Sequence, residues 1–351
     1  MNSKRFSRRF AGLAASVLVA LVAGGCKSVI YEPEGDCDPH FIVHFKYDKN
    51  LKWADAFPAE VSSVTLYVFD KQGHLVATRS EDVQTENAEN FTIDLAGIAP
   101  GRYDLLAWCG VKDNPHFVVA PSVASAVLRE EHSCYVKRST GDDGLSHIRE
   151  DIGRLYHGTL TDVDLTPDEG TYDYTVALTK DTNVIRIVLQ NISGAPMEKD
   201  DYEFIITDDN GHLGHDNIPL DDTEIMYHPW SIRSGMASFQ PGDEPVEHVG
   251  GKAVSTMSAV ITEFTVSRLM KSHRPLMIVN TKDGKNILTL PLVDCALLVK
   301  GEYHRPMTDQ DYLDRKDEYD FTFFVDGDSK WIDTHIYINS WRVVLDDVDF
   351  D

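Results

Sequence analysis

The fold is indicated by a stretch early in the chain, residues 61–77, which reads VSSVTLYVFDKQGHLVA. Residues 61–69 combine β-branched and aromatic side chains in the manner of a half-buried strand. The following turn sequence, DKQG at 70–73, ends in a glycine that can adopt a positive φ, and residues 74–77 return as a partner strand. The stretch therefore predicts a β-hairpin within a β-sheet protein.

A second stretch repeats this pattern later in the chain. Residues 204–213, FIITDDNGHL, align with residues 66–75, LYVFDKQGHL, so that Asp, Gly, His and Leu coincide at a constant offset. Self-similarity of this kind indicates two copies of one architecture. We therefore expect residues 208–211 to form a hairpin turn like the one at 70–73.

Other short strands surround these two stretches. Residues 40–47 alternate in polarity, with Phe41, Val43 and Phe45 on one face. Short strands separated by turn signals are typical of β-sandwiches. We expect an all-β chain with an N-terminal β-sandwich domain at 39–180 and a C-terminal one at 181–351. The stretch 110–160 breaks the rhythm and is expected to be a long connection of functional or partly ordered character.

The N-terminus resembles a lipoprotein signal peptide, which we assign to residues 1–25. Four cations at positions 4, 5, 8 and 9 precede an apolar run at 11–23, which is shorter than the roughly 20 residues of a membrane span. The run ends in Gly24-Gly25-Cys26, similar to a lipobox, whose cysteine is acylated and becomes the mature N-terminus. Residues 26–38 would then form a short, lipidated acidic tether. The alternative is an ordinary secretory signal with an incidental cysteine.

The composition and motifs exclude several classes of function. With 33 Lys and Arg against 57 Asp and Glu, the net charge is −24, so no nucleic-acid partner is expected. No P-loop, G-x-S-x-G or H-E-x-x-H motif occurs, and we expect neither enzymatic activity nor a cofactor. His212, His215 and Asp216 form an H-x-x-H-D sequence. Histidines beside a turn are more often solvated than metal-bound, so no metal site is expected.

Four cysteines remain besides Cys26. In an exported chain, Cys109 and Cys134 could form a disulfide that staples the long connection. Buried free thiols are the alternative, because cysteine is common as a small hydrophobic residue. The pairing of these two with Cys37 and Cys295 stays open at this point.

Several of these stretches together resemble one family. They are the lipobox at Cys26, the tether ending in Asp36-Cys37, the VSSVTLYVFD stretch at 61–70, Gly101-Arg102-Tyr103, and Ile336 to Trp341 near the end. In this order they resemble the anchor subunits of type V fimbriae, the FimB/Mfa-like lipoproteins. The resemblance implies two tandem transthyretin-like β-sandwich domains and a non-enzymatic, surface-exposed subunit held in the outer membrane by acylated Cys26. It also implies that the subunit fixes a fimbria to the cell.

The expected protein partner is the major stalk subunit of that fimbria. Near the C-terminal end, Arg342, Val343, Val344 and Leu345 form an apolar, β-prone stretch that we predict to be the partner-binding strand, because β-sandwich subunits commonly associate by strand addition. The alternative function is a surface lipoprotein that binds glycans through its β-sandwiches. Trp53 and Trp230 are its candidate aromatic contacts.

Overall fold

A computed structural model describes most of the chain. The ranges it describes are 38–121, 128–166, 168–238, 256–332 and 335–344. Cys26, Cys37 and Leu345 lie outside these ranges. One compact unit comprises His40–Thr166 and Thr171–Asp351, and the strands and helices that follow all belong to it. A second unit comprises Met1–Pro39 and Pro167–Gly170, of which residues 38, 39 and 168–170 are described.

Two sheets enclose the first hydrophobic core. The smaller has three strands in the order β11-β1-β4 and the larger has five in the order β12-β10-β5-β2-β3. Their bounds are β1 His40–Lys46, β2 Ser63–Phe69, β3 Leu75–Asp82, β4 Thr92–Asp94, β5 Gly101–Cys109, β10 Tyr156–Leu165, β11 Thr171–Ala177 and β12 Thr179–Lys180. Phe41, Val43 and Phe45 of β1 point into this core, as the alternation in the sequence predicted.

Two six-stranded sheets form most of the second half, in the orders β17-β18-β13-β21-β22-β23 and β20-β19-β14-β16-β9-β8. A three-stranded sheet, β15-β7-β6, accompanies them. The bounds are β6 Phe117–Ala120, β7 Ser133–Val136, β8 Ser139–Thr140, β9 Ser146–Ile148, β13 Thr182–Asn191, β14 Tyr202–Asp208, β15 His212–Gly214, β16 Ile225–Tyr227, β17 Ser231–Ser238, β18 Thr256–Ser267, β19 Leu276–Thr281, β20 Asn286–Pro291, β21 Glu318–Val325, β22 His335–Ile338 and β23 Trp341–Val344.

Helices are short and few in the described ranges. The α-helices are α1 Phe57–Glu60, α2 Leu292–Leu297 and α3 Asp309–Arg315, and 3₁₀ turns occur at Ala88–Asn90, Arg129–Glu131, Lys199–Asp201 and Glu302–His304. The hydroxyl of Thr308 caps α3 by accepting from the Asp311 backbone N–H. Among these described helices, none has the length and apolar character needed to cross a membrane. The all-β prediction is confirmed.

Strand β5 is buried on both faces. Leu105, Ala107 and Cys109 belong to the first core, whereas Leu106 and Trp108 belong to the second. Successive side chains of a strand point to opposite faces of its sheet, so the five-stranded sheet separates two cores. This explains why residues 105–109 read as a continuous apolar run rather than an alternating one.

The long connection supplies strands to the second half of the chain. β7 pairs with β15, and β9 runs parallel to β16. The chain leaves β5 through Gly110, whose φ is +82°, and a Cβ there would lie 2.2 Å from the Arg154 carbonyl oxygen. Only glycine fits this position, because both the backbone conformation and the close approach exclude a side chain. Residues 117–120, 133–136, 139–140 and 146–148 of this connection are therefore strands of the packed structure.

The three described cysteines are free thiols. Cys109 is buried in the first core, and Cys134 and Cys295 are buried in the second. The disulfide considered between Cys109 and Cys134 is absent, because the two residues lie on strands of different sheets and their side chains belong to different cores. Burial raises the pKa of the Cys295 thiol to about 12 and raises those of Cys109 and Cys134 as well, which keeps all three protonated.

The two copies of the repeated stretch differ in structure. β2 and β3 form the predicted hairpin, in which Asp70 Oδ1 accepts from the backbone N–H groups of Gln72 and His74. After Asp208 the chain instead leaves its sheet, and β15 pairs with β7. The hairpin expected at 208–211 is wrong. Asp208 is buried and its Oδ1 interacts with His273, so it does not close a turn in the way that Asp70 does.

We expect Leu106→Ala and Leu105→Ala to destabilise the protein to a similar extent. Each deletes a fully buried leucine, and such deletions cost ~2–5 kcal/mol of the free energy of unfolding. Urea-induced unfolding measures both losses, and Leu220→Ala, at a site that is 41% exposed, is the control. A large loss for Leu105→Ala with little loss for Leu106→Ala would contradict a second core on the outer face of β5.

Candidate partner-binding edge

The predicted partner-binding residues lie in a C-terminal hairpin. β22 and β23 pair directly, from Ile338 opposite Trp341 to His335 opposite Val344. The two-residue turn between them, Asn339 and Ser340, has φ values of 50° and 69°, as a type I′ turn requires. Asn339 Oδ1 accepts from the Asp320 N–H, and the Asn339 N–H donates to the Asp320 carbonyl. These bonds fasten the turn to β21.

β23 is the last strand of its six-stranded sheet. Among the described strands it pairs with β22 alone. In an antiparallel hairpin with this register, the backbone N–H and C=O groups of Arg342 and Val344 point away from β22. Val343 packs against the second core, whereas Trp341 is 70% exposed. Arg342, Val343 and Val344 thus form a strand whose outer edge, here called the free edge, has no partner among the described residues. Leu345 lies outside the described residues.

A buried charge network fixes helix α3 to the first half of the chain. Arg268 Nε and Nη2 each lie 2.8 Å from a carboxylate oxygen of Asp314, and Lys49 Nζ lies 2.7 Å from Asp314 Oδ2. Burial alone would raise the pKa of Asp314, but the Arg268 and Lys49 charges hold it below its usual value. The network therefore ties a helix of the second half to the loop after β1.

Asp181 is a fully buried member of the same network. Its Oδ1 accepts a 2.8 Å hydrogen bond from Asn217, its Oδ2 has no hydrogen-bond partner in the described structure, and Arg268 Nε is 3.9 Å away. Burial raises the pKa of Asp181 to about 7, since the partial pairing with Arg268 and Asn217 does not offset the loss of water. An ionised Asp181 therefore costs folding free energy above pH 7.

A second ion-pair cluster joins the two halves beside this one. The buried Lys180 ammonium lies 3.1 Å from Glu60 and 2.8 Å from Asp317. Lys52 also contacts Glu60, at 2.9 Å. Burial would raise the pKa of Glu60, but the Lys180 and Lys52 contacts outweigh it and lower that pKa to about 2. Together the two clusters position residues 314–317 immediately before β21.

His212 and His215 of the H-x-x-H-D sequence do not form one side-chain cluster with His228. The ring of His212 packs edge-on against Tyr135, and the backbone carbonyl of His215 accepts from His157. The His228 ring instead hydrogen-bonds to His147, at 2.9 Å between Nε2 and Nδ1. Burial lowers the pKa of His228 to about 4.

A cluster of ligand-type side chains that the sequence did not suggest comprises Asp208, Asp209 and His273. The Nδ1 atom of His273 lies 2.7 Å from Asp209 Oδ1 and 3.2 Å from Asp208 Oδ1. Hydrogen bonding to Asp208 raises the pKa of His273, which favours the imidazolium form. These distances and charges describe an ion-paired triad. The sequence does not reveal this cluster, because His273 is distant in sequence from the two aspartates.

The two tryptophans considered for glycan binding occupy different settings. Trp53 is 64% exposed, and the Arg315 guanidinium lies 5.7 Å from its ring centroid. Trp230 is 38% exposed and precedes β17, with its backbone N–H donating to the Glu263 carbonyl. Glycan binding stays a prediction.

Comparison with known proteins identifies the family. The family of fimbrillin-A associated anchor proteins Mfa1 and Mfa2 matches residues 33–347. The chain belongs to this family. It is 24% identical to the minor fimbrium anchoring subunit Mfa2 of Porphyromonas gingivalis over 290 residues, covering 81% of this chain and 80% of that protein.

Solved structures agree with this assignment. A Bacteroides thetaiotaomicron protein described as a candidate adhesin has a TM-score of 0.72 and 31% identity, over 88% of this chain and 98% of that one. The fimbrial anchor protein Mfa2 from Porphyromonas gingivalis has a TM-score of 0.60 and 19% identity, over 88% of this chain and 99% of its own. The second likeness concerns the fold alone. The family comprises fimbrial anchor subunits and is not a family of enzymes.

We expect Asp181→Asn to flatten the pH dependence of stability between about pH 4 and pH 7. The folded-state pKa of about 7 lies above the ~3.9 of an unfolded aspartate, so wild-type stability falls as the pH rises through this window, by up to about 4 kcal/mol. Asparagine carries no charge to desolvate, and its Oδ1 still accepts from Asn217. Thermal unfolding from pH 4 to pH 8 measures the effect.

The exposed Asp200→Asn is the matched control for this measurement and should retain the wild-type pH profile. If Asp181→Asn follows the same profile as Asp200→Asn, then Asp181 is not the group that loses stability as it ionises.

Proposed function

We propose that this protein is a lipid-anchored subunit of the outer membrane that fixes a type V fimbria to the cell surface and ends its assembly. Family membership supports the fimbrial role. The lipobox-like sequence ending at Cys26 supports the lipid anchor, since several acyl chains on one residue bind a bilayer firmly. The expected partners are the outer-membrane lipid and the major stalk subunit.

The single observation that supports the proposed attachment of the stalk to this protein is the free edge of β23. An unpaired strand edge presents a row of backbone donors and acceptors to which another chain can add a strand. This edge lies at the end of the chain remote in sequence from Cys26. We therefore infer that the C-terminal half engages the stalk while the N-terminus is held at the membrane.

The position of β1 supports the proposed ending of assembly. β1 is the central strand of its sheet, with seven residues paired in parallel to β11 and three paired antiparallel to β4. Its alternate side chains are buried in the first core. Removing β1 to open a groove would break both pairings and expose that core. A subunit that keeps β1 in place therefore offers no strand-accepting groove at the membrane side.

Cys26→Ala should release the protein from the membrane. Without the thiol no acyl chain can be attached, and the anchoring energy of roughly 0.8 kcal/mol per buried CH₂ is lost. Partition between detergent and aqueous phases, with immunoblotting, measures the change. Cys295→Ala, at a buried free thiol, is the control and should stay in the detergent phase. A Cys26→Ala protein that remains with the membrane and is processed as before would contradict lipidation.

Deletion of residues 342–351 should free fimbriae from the cell while this protein stays anchored. The deletion removes the strand that carries the free edge, including Val343 at the margin of the second core, but leaves Cys26 and the fully buried residues of both cores. The amount of stalk subunit on cells and in the medium is the readout. Deletion of 346–351 alone spares β23 and is the control. The attachment mode is wrong if fimbriae of normal length stay on cells that carry a folded 342–351 deletion.

A further inference from the structure

A groove of about 650 Å³ runs beside β23. Trp341 and Val343 line it from the strand, and Leu298, Val299 and Tyr303 line it from the segment after α2. Trp341 and Tyr303 are 70% and 86% exposed. Two large aromatic side chains left exposed around one apolar groove mark an interaction surface rather than ordinary surface scatter.

The charge of the groove is opposite to that of the chain. Lys300, Lys316 and Arg342 line it, and the described lining contains no Asp or Glu, although the whole chain has a net charge of −24. Lys300 is already paired with Asp309 at 2.9 Å. Among the described residues Lys316 and Arg342 form no ion pair with a carboxylate, and the Lys316 ammonium lies 5.9 Å from the Tyr319 ring centroid. Two cations at this edge are therefore available to an acidic partner.

The alternation of side chains along β23 determines which residue types a paired partner strand needs on each of its faces. Trp341 and Val343 lie opposite Ile338 and Ile336, on the face of the sheet that contributes to the second core, and Arg342 lies on the other face. A strand added to β23 would place successive side chains alternately on these two faces. Apolar side chains would reach Trp341 and Val343, while the residues between them would reach Arg342.

We propose that this groove and the free edge of β23 together receive one extended segment of the fimbrial stalk subunit, in which apolar and acidic residues alternate. The inference rests on the proposed function and deepens it, because it names the chemistry of the partner segment. Backbone hydrogen bonds to Arg342 and Val344 hold the segment, the groove takes its apolar side chains, and Arg342 pairs with the carboxylates on the other face. The charge of Lys316 in the groove adds a longer-range attraction for the acidic segment as a whole.

The test uses Tyr303→Ala and Lys316→Glu, which change the groove but lie outside the strand removed in the 342–351 deletion. The probe is the stalk subunit that co-purifies with the full-length, detergent-solubilised protein from cells. We expect each variant to reduce the co-purified stalk at least tenfold. Raising NaCl from 0.05 M to 0.5 M should weaken the wild-type complex, and Lys316→Glu should reduce this salt dependence.

The control variants change the same kinds of side chain at the opposite edge of the same sheet. Trp230→Ala changes the aromatic residue immediately before β17 and Arg233→Glu changes a cation of β17, and both variants should bind stalk within twofold of wild type. Tyr303 is so exposed that its truncation tests binding rather than folding, and thermal unfolding checks Lys316→Glu.

Two results would overturn the inference. If the 342–351 deletion frees fimbriae but both groove variants bind stalk as wild type does, the groove is not the site, although the proposed function stands. If the wild-type protein purifies without stalk as a dimer that Tyr303→Ala makes monomeric, a second copy of this chain occupies the groove. Fimbriae that stay bound after the deletion would instead count against the proposed attachment mode itself.

Discussion

The rest of the structure depends on the double burial of β5. A sheet that covers one core normally turns its other face to water, but here Leu106 and Trp108 pack into the second core. His157 lies against Trp108 at 4.7 Å between ring centroids, and His132 contacts both Tyr67 and Phe69. Separating the halves would expose these aromatic surfaces, so burial of the outer face opposes movement between them.

Ion pairs then fix the relative orientation of the packed elements, which apolar packing does not specify. Apolar burial is non-directional, whereas the Arg268–Asp314–Lys49 and Glu60–Lys180–Asp317 contacts require particular geometries. Both clusters act on residues 314–317, from the end of α3 to the residue before β21, which include Lys316 of the groove. A buried ion pair adds little net stability, but breaking one is costly, so these contacts are better understood as positioning devices. They hold the groove in register with the edge strand beside it.

The features that the sequence could predict are those governed by local pattern. The β2–β3 hairpin and the inward face of β1 follow from period-two alternation and from a glycine at a positive-φ turn. The edge strand was likewise visible as an apolar, β-prone stretch near the C-terminal end. The groove beside it could not be predicted, because its lining residues lie at 51, between 298 and 316, and between 339 and 343. Only the fold brings these three parts of the sequence together.

The second copy of the repeat shows the limit of local pattern most clearly. Residues 70–73 and 208–211 share Asp and Gly at the same spacing, yet the carboxylate of Asp70 closes its own turn and that of Asp208 reaches His273. The buried network is hidden for the same reason, since Asp181, Arg268 and Asp314 are far apart in the chain. Free thiols at Cys109 and Cys134 follow from which core each strand face meets, and spacing along the sequence carries no such information.

Strands β1 and β23 differ in how their edges are paired, and this contrast suits an anchor subunit. β1 lies between two partners, so its three-stranded sheet has no gap next to this strand. Among the described strands β23 has one partner, and an apolar, cationic groove lies beside it. A subunit of a growing fibre must both accept and present a strand, because each addition regenerates the site for the next. Under the proposed function, a chain whose β23 edge engages the stalk and whose β1 stays paired in its own sheet would join the fibre once. The proposed end of assembly would then have a geometric cause, the retention of β1 between its two partners.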